Sequence, residues 1–379
     1  MGGQCYNKNY RGDDLPGINQ ERTDMKIQPK VDLVIDLQFG STGKGLIAGY
    51  LAEKNDYDVV ITANMPNAGH TYINREGRKW MHKVLPSGIT SPNLKYVLIG
   101  PGAVFDIERL AFEIGQSYDI LKGVEVCIHP KASVVQSSHK EAEAAGLSKV
   151  SSTMQGSAEA SIEKMRRQPG SRILAEHFVD EIYDAGAVVL NDHQWREILE
   201  RADKVLAEGA QGYSLSLNGP FWPYCTSRDC TPNRFLADMA IPHKMLNKVI
   251  GTARVHPIRV GNTSDGFSGP IYSDQTELTW EEVGQVPELT TVTQRVRRVF
   301  SFSYEQIGHA IRDCCPDEIF LNFCNYAPVL AEEVADSIDR IGDSHGVGWF
   351  DWNNDGPGPL QLVKYMGFGP TAADIRERF

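Results

Sequence analysis

The 379-residue chain contains no apolar run approaching the roughly 18–20 residues of a membrane span, which excludes a helical membrane protein. It also lacks an excess of positive charge. Its 38 Lys and Arg face 49 Asp and Glu, for a net charge of −11, and a broad nucleic-acid surface would need the opposite balance. A nucleotide remains a possible ligand, provided the positive charge is local. The seven cysteines (Cys5, Cys127, Cys225, Cys230, Cys314, Cys315, Cys324) are odd in number and nowhere spaced Cys-x-x-Cys. That pattern argues against a disulfide framework or a zinc site and fits a reducing cytoplasm. Residues 1–29 have neither an apolar core segment nor helical periodicity, so a disordered extension is expected rather than a signal peptide. Tyr6 stands where a myristoylation signal needs Ser or Thr.

Apolar residues make up 41% of the chain and charged residues 23%, enough to bury a sizeable core. A single large domain over residues 30–379 with inserted helical subdomains is expected. Short β-branched runs read as buried strands: Val31 to Leu37, Asp58 to Asn64, Lys95 to Gly100 and Glu318 to Phe323. Val249 to Val260 is a longer candidate whose pairing is limited by Pro257. Helical patterns lie between them: the segment after the first strand, Asp106 to Gln116, His193 to Lys204 and Tyr304 to Asp313. The alternation predicts an α/β fold, a mostly parallel central sheet flanked by helices. Ligands then gather beyond the carboxyl ends of the strands.

The sharpest motif is QFGSTGKG, Gln38 to Gly45, placed between the first strand and a helix. Its glycines let backbone N–H groups approach a phosphate, and the helix N-terminus and Lys44 supply positive charge. It is a glycine loop related to a P-loop but not a Walker A sequence. Only two residues separate Gly40 from Gly43, and Gly45 stands where Ser or Thr would bind magnesium. A P-loop kinase is disfavoured by that spacing. A second segment, NAGHT, Asn67 to Thr71, follows the second strand and should meet the loop at the same sheet edge.

These two segments, in this order, resemble the GDEGKG loop and NAGHT segment of adenylosuccinate synthetases. The similarity continues through LPSGI (Leu85 to Ile89), EGAQG (Glu208 to Gly212), PYCTS (Pro223 to Ser227) and TTVTQRVRR (Thr290 to Arg298), and it runs from about Val31 to Gly369. In that family a nucleoside triphosphate phosphorylates the purine 6-oxygen and the amine of L-aspartate then displaces the phosphate. Charge builds on the transferring phosphoryl group, so cations and a water-poor site are needed.

The resemblance implies a catalytic set of Ser41, Lys44 and His70, with Lys44 on the transferring group and His70 as general acid at the 6-oxygen. An imidazole suits that role because its ordinary pKa lies near working pH. The acceptor nucleotide falls to Ser41, Asn67, Ala68, Thr153, Arg167, Gln211, Thr226 and Arg295, with Arg167 reaching across a homodimer interface. The donor falls to Gly40, Thr42, Gly43, Lys44, Gly45, Gly69, His70, Thr71, Asn322, Phe323, Asn325, Gly367 and Gly369. Aspartate falls to Thr291, Val292, Thr293, Arg295 and Arg297, where guanidinium forks match a dicarboxylate. Magnesium is implied as a cofactor, held by the Gly69 carbonyl and by Ser41.

Two positions depart from the family pattern. Ser41 replaces the loop aspartate, which removes a carboxylate from beside purine C2 and leaves room and an acceptor for a 2-amino group. Such a serine is similar to that of a viral branch of the family, which acts on dGMP. The alternatives are an ordinary synthetase acting on IMP, or an inactive nucleotide-binding homologue. At the donor-base position the family's Lys-x-Asp is replaced by Asn322, Phe323, Cys324 and Asn325, so guanine loses its carboxylate partner. ATP or dATP is therefore the expected donor.

Overall fold

The computed structural model describes residues 28–146, 153–264, 266–290, 294–345 and 361–379. Most of the N-terminal extension expected at 1–29, and three residues of the aspartate set (Thr291, Val292 and Thr293), lie outside the described residues.

A ten-stranded sheet runs through the molecule in the order Ile375–Glu377, Val363–Gly367, Glu318–Asn322, Leu246–Arg254, Val31–Asp36, Val205–Glu208, Val59–Thr62, Tyr96–Ile99, Glu125–Ile128 and Val188–Val189. Every neighbouring pair is parallel except the edge strand Ile375–Glu377, which runs antiparallel to Val363–Gly367. The fold is thus α/β around a mostly parallel sheet. All six residues of Val31–Asp36 are buried, as a strand covered on both faces requires.

The sequence VIGTARVHPIRV divides at Pro257. Its first part completes Leu246–Arg254 in the large sheet, while Ile258–Arg259 joins a separate three-stranded sheet. Proline has no N–H to give a central ladder, so the chain changes sheets there. The helices Lys44–Asn55, Ile107–Gln116, Asp192–Arg201 and Tyr304–Cys314 fall where periodicity placed them. Asp106 caps the second of these through Arg109 N–H, and Asn191 closes a capping box on the third. Among the described residues no helix is long and apolar enough to cross a membrane.

The topology decides where chemistry gathers. Five neighbouring strands, from Glu318–Asn322 to Val59–Thr62, lead at their carboxyl ends into Phe323, Arg254, the glycine loop, Glu208 to Gly212 and the NAGHT segment. Segments far apart in sequence therefore share one sheet edge.

Candidate active site

The glycine loop folds around a carboxylate that sequence reading did not single out. Asp36, at the end of Val31–Asp36, is buried. Its Oδ1 accepts from Gln38 N at 2.9 Å and Gly40 N at 3.1 Å. Its Oδ2 accepts from Thr42 N at 3.3 Å, from Lys44 Nζ at 3.1 Å and from the Thr42 hydroxyl. Three of four successive positions adopt positive φ inside that cage: Gly40 at 93°, Ser41 at 58° and, after Thr42, Gly43 at 95°. Ser41 is exposed, whereas Thr42 and Lys44 are buried. Lys44 Nζ also donates to Gln211 O at 2.8 Å, which aims it across the loop.

Two glycines are required by close approach. A Cβ on Gly43 would stand 2.1 Å from Asn322 Nδ2, and one on Gly45 would stand 2.7 Å from Thr71 O. Gly43 is also the N-cap of Lys44–Asn55, with no side-chain cap bond. Leu46 N already donates to Gly43 O at 3.0 Å, which leaves the amides ahead of it, of Lys44 and Gly45, to face an anion.

His70 opens the strand His70–Ile73 and is buried, with Nδ1 3.6 Å from Glu208 Oε2. Glu208 ends its own strand and accepts from Ser87 N at 3.0 Å and Gly88 N at 2.7 Å. That carboxylate is fixed by the LPSGI segment and sits beside the imidazole, where it can orient the ring. Glu208 opens the EGAQG segment, but an acid in a motif does not announce which side chain it faces.

Gln211, with φ 61°, donates from Nε2 to Asn67 Oδ1 at 2.6 Å. Among the described residues Gln211 Oε1 and Thr226 Oγ1 are buried without a hydrogen-bond partner, as expected of groups that meet a ligand or water. Ala68 is buried and Gly69 exposed. Thr153 is half-buried, its carbonyl accepting from Gln155 Nε2 at 3.1 Å. Arg167 is exposed as the left-handed C-cap of Ser157–Arg166.

On the other flank, Asn322 is buried and donates to Thr42 O at 3.2 Å while accepting from Phe323 N at 2.8 Å. A Cβ on Gly367 would stand 2.2 Å from its Oδ1, so Asn322 wedges between the glycine loop and Gly367. Asn325 is exposed, and Gly369 packs against Asp374. Residues 288–290 turn back on 295–297, with Thr290 N donating to Arg295 O and Arg297 N to Glu288 O, both at 2.8 Å. Burial pulls the Arg297 pKa down to about 10 against the opposing pull of Glu288. Arg298 is committed elsewhere, forked onto Glu277 at 2.6 and 2.7 Å and bonded to Gly269 O.

A helix start without a side-chain cap behind a glycine loop, a buried lysine and a histidine beside a buried carboxylate are the features of a nucleotide-dependent enzyme. The adenylosuccinate synthetase family model matches residues 33–183 and 174–329. The chain is 57% identical over 353 residues to the N6-succino-2-amino-2'-deoxyadenylate synthase of Vibrio phage phiVC8, covering 92% of this chain and 98% of that one. It is 38% identical over 350 residues to the protein of that name from Cyanophage S-2L, with 91% of each covered. Among solved structures, the Cyanophage S-2L succinoaminodeoxyadenylate synthetase bound to dGMP and dATP superposes with a TM-score of 0.82 at 37% identity, over 92% of this chain and 95% of that one. A fully ligated adenylosuccinate synthetase from Plasmodium falciparum shares the fold at a TM-score of 0.70 and 19% identity, covering 92% and 100%. The chain belongs to the adenylosuccinate synthetase family and is a C–N ligase.

Proposed function

We propose that the enzyme joins L-aspartate to C6 of dGMP with phosphoryl transfer from ATP or dATP, giving 2-amino-2'-deoxy-N6-succinyladenylate, ADP or dADP, and phosphate. The observation that carries this is Ser41. It is exposed on a left-handed loop, and Asp36, the carboxylate that loop folds around, is buried. A 2-amino group therefore meets a small hydroxyl instead of a carboxylate. The naming of the phage relatives, and the dGMP and dATP in the Cyanophage S-2L protein, support the same substrates.

In this reading Lys44 and the open helix start hold the donor phosphates, and His70, steadied by Glu208, protonates the departing side of the 6-oxygen. Asn67, Gln211 and Thr226 hold the acceptor, while Arg295 and Arg297 hold the dicarboxylate. Arg167 acts across a homodimer from its exposed helix end. Phe323 offers a ring to the donor base without a guanine-specific acceptor. Ser41 and Gly69 are exposed, and the Ser41 hydroxyl and Gly69 carbonyl would suit magnesium, which takes few protein oxygens and when bound would neutralise phosphate charge. Residues 30–379 form one synthetase domain working in the cytoplasm of an infected host.

The test is to incubate the protein with each purine monophosphate, aspartate, magnesium and a panel of triphosphates, and to detect succinylated product by mass. Product from dGMP with ATP or dATP is expected. Consumption of IMP with dGMP ignored, or strict dependence on GTP, would overturn the assignment, and binding without turnover would mark an inactive homologue.

A further inference from the structure

Arg254 ends the strand beside Val31–Asp36, and its side chain is fully buried. Its guanidinium forks onto Glu288, with Nη2 2.5 Å from Oε1 and Nη1 3.2 Å from Oε2. Nη1 also donates to Ser41 O at 3.2 Å. The same planar group lies 3.7 Å from the centre of the Phe323 ring, and Tyr326 Oη donates to Glu288 Oε1 at 3.0 Å. The backbone of Arg254 is clasped as well. Gln38, in the glycine loop, accepts from its N–H at 2.9 Å and donates to its carbonyl at 3.2 Å.

One buried cation thus touches three segments that bind three different molecules in the function proposed above, on which this inference rests. Ser41 belongs to the acceptor side, Phe323 to the donor base, and Glu288 to the foot of the hairpin that carries Arg295 and Arg297. We propose that Arg254 is a positioning residue that sets the aspartate-binding hairpin in register with the glycine loop and the donor-base ring. Stability alone is a poor reason for such a group. Burying an ion pair costs desolvation that an apolar residue of equal volume would avoid, so a buried pair is weak support for a fold. A guanidinium fixes several directions at once: two in-plane bonds to a carboxylate, a third to a carbonyl, and a flat face against an aromatic ring. A lysine would keep the charge and lose that geometry.

Arg254→Lys and the nearly isosteric Glu288→Gln test this, singly and together. The expected result is a KM for aspartate raised about 10- to 100-fold in each, the loss of a charge-assisted hydrogen bond. A much smaller change is expected in the KM for dGMP, with the double variant no worse than either single one. Amide exchange gives a second readout independent of turnover: the hydrogen-bonded amides of Thr290 and Arg297 should lose protection in both variants. Unchanged aspartate KM with unchanged protection, or additive effects in the double variant, would overturn the proposal. If Arg254→Lys does not fold, Glu288→Gln decides alone. An inactive wild-type protein would refute the proposed reaction, while the exchange measurement would still decide the role of Arg254.

Discussion

Lys44 Nζ lies 3.1 Å from Asp36 Oδ2, and both side chains are at most 5% exposed. The lysine expected to meet the transferring phosphate is therefore held from below by the carboxylate that ends the preceding strand. Asp36 accepts from Gln38, Gly40, Thr42 and Lys44 together, so it is saturated and acts by shaping the loop. Asp36→Asn should lower kcat at least 100-fold. It should also cost about 3–5 kcal/mol of stability, because the substitution leaves Lys44 buried without its counter-charge. Single-turnover kinetics and urea unfolding on the same preparation check both. A variant with wild-type turnover would show that the cage is dispensable.

Glu208 is the corresponding support for His70. Ser87 N–H and Gly88 N–H fix its oxygens and hold the carboxylate 3.6 Å from His70 Nδ1. Glu208→Gln keeps the shape but removes the charge and presents one N–H where an acceptor stood. A fall in kcat of about 10- to 100-fold with little change in nucleotide KM is the expected outcome, in line with lost support for a functional histidine. An equal fall in donor affinity would instead point to a collapsed LPSGI segment.

What the sequence disclosed follows from what each signal depends on. Val31–Asp36 and Val59–Thr62 were visible because strands buried on both faces are dominated by β-branched and aliphatic residues. Val205–Glu208 was hidden because it is four residues long with a single β-branched residue, and Val188–Val189 by being two residues long. Lys44 and His70 carry their meaning in local spacing. Asp36 does not, since an acid closing a strand looks like a solvated end. Arg254 and Ser41 are 213 positions apart, and only the sheet order brings them into contact.

The wedge between Gly43 and Asn322 makes a separable prediction. Gly43→Ala adds a methyl 2.1 Å from Asn322 Nδ2 on a backbone with φ 95°. Activity should fall below detection, through clash and backbone strain together. Adding Asn322→Ala removes the clash but leaves the strain, so recovery should be partial. Full recovery would show that the left-handed backbone at Gly43 is unimportant, and donor titrations of the two variants would reveal it.

Ser41 tests selectivity. Ser41→Asp returns a carboxylate to an exposed position whose φ of 58° aspartate tolerates well. It should reduce kcat/KM for dGMP more than for IMP, shifting the ratio about 10- to 100-fold towards IMP. Competition between the two nucleotides, read by product mass, measures that ratio directly. An unaltered ratio would remove position 41 from substrate selection.

His129 offers a prediction on stability. Burial lowers its pKa from the ordinary 6.5 to about 4, outweighing the opposing pull of Asp192. The ring stands edge-on to Trp195 at 4.9 Å, and its Nδ1 accepts from Lys131 N at 3.1 Å, which requires the neutral form on that side. Above pH 6.5 both folded and unfolded chains carry a neutral His129, and its contribution is fully present. As pH falls from 6.5 towards 4, the unfolded chain takes up a proton that the folded one refuses, so folding is progressively disfavoured. The loss amounts to on the order of 2–3 kcal/mol by pH 4. His129→Gln should be less stable than wild type at pH 8, yet lose less stability on acidification. Unfolding free energies at several pH values between 8 and 4 check this, and parallel curves for the two proteins would assign the acid sensitivity to other groups.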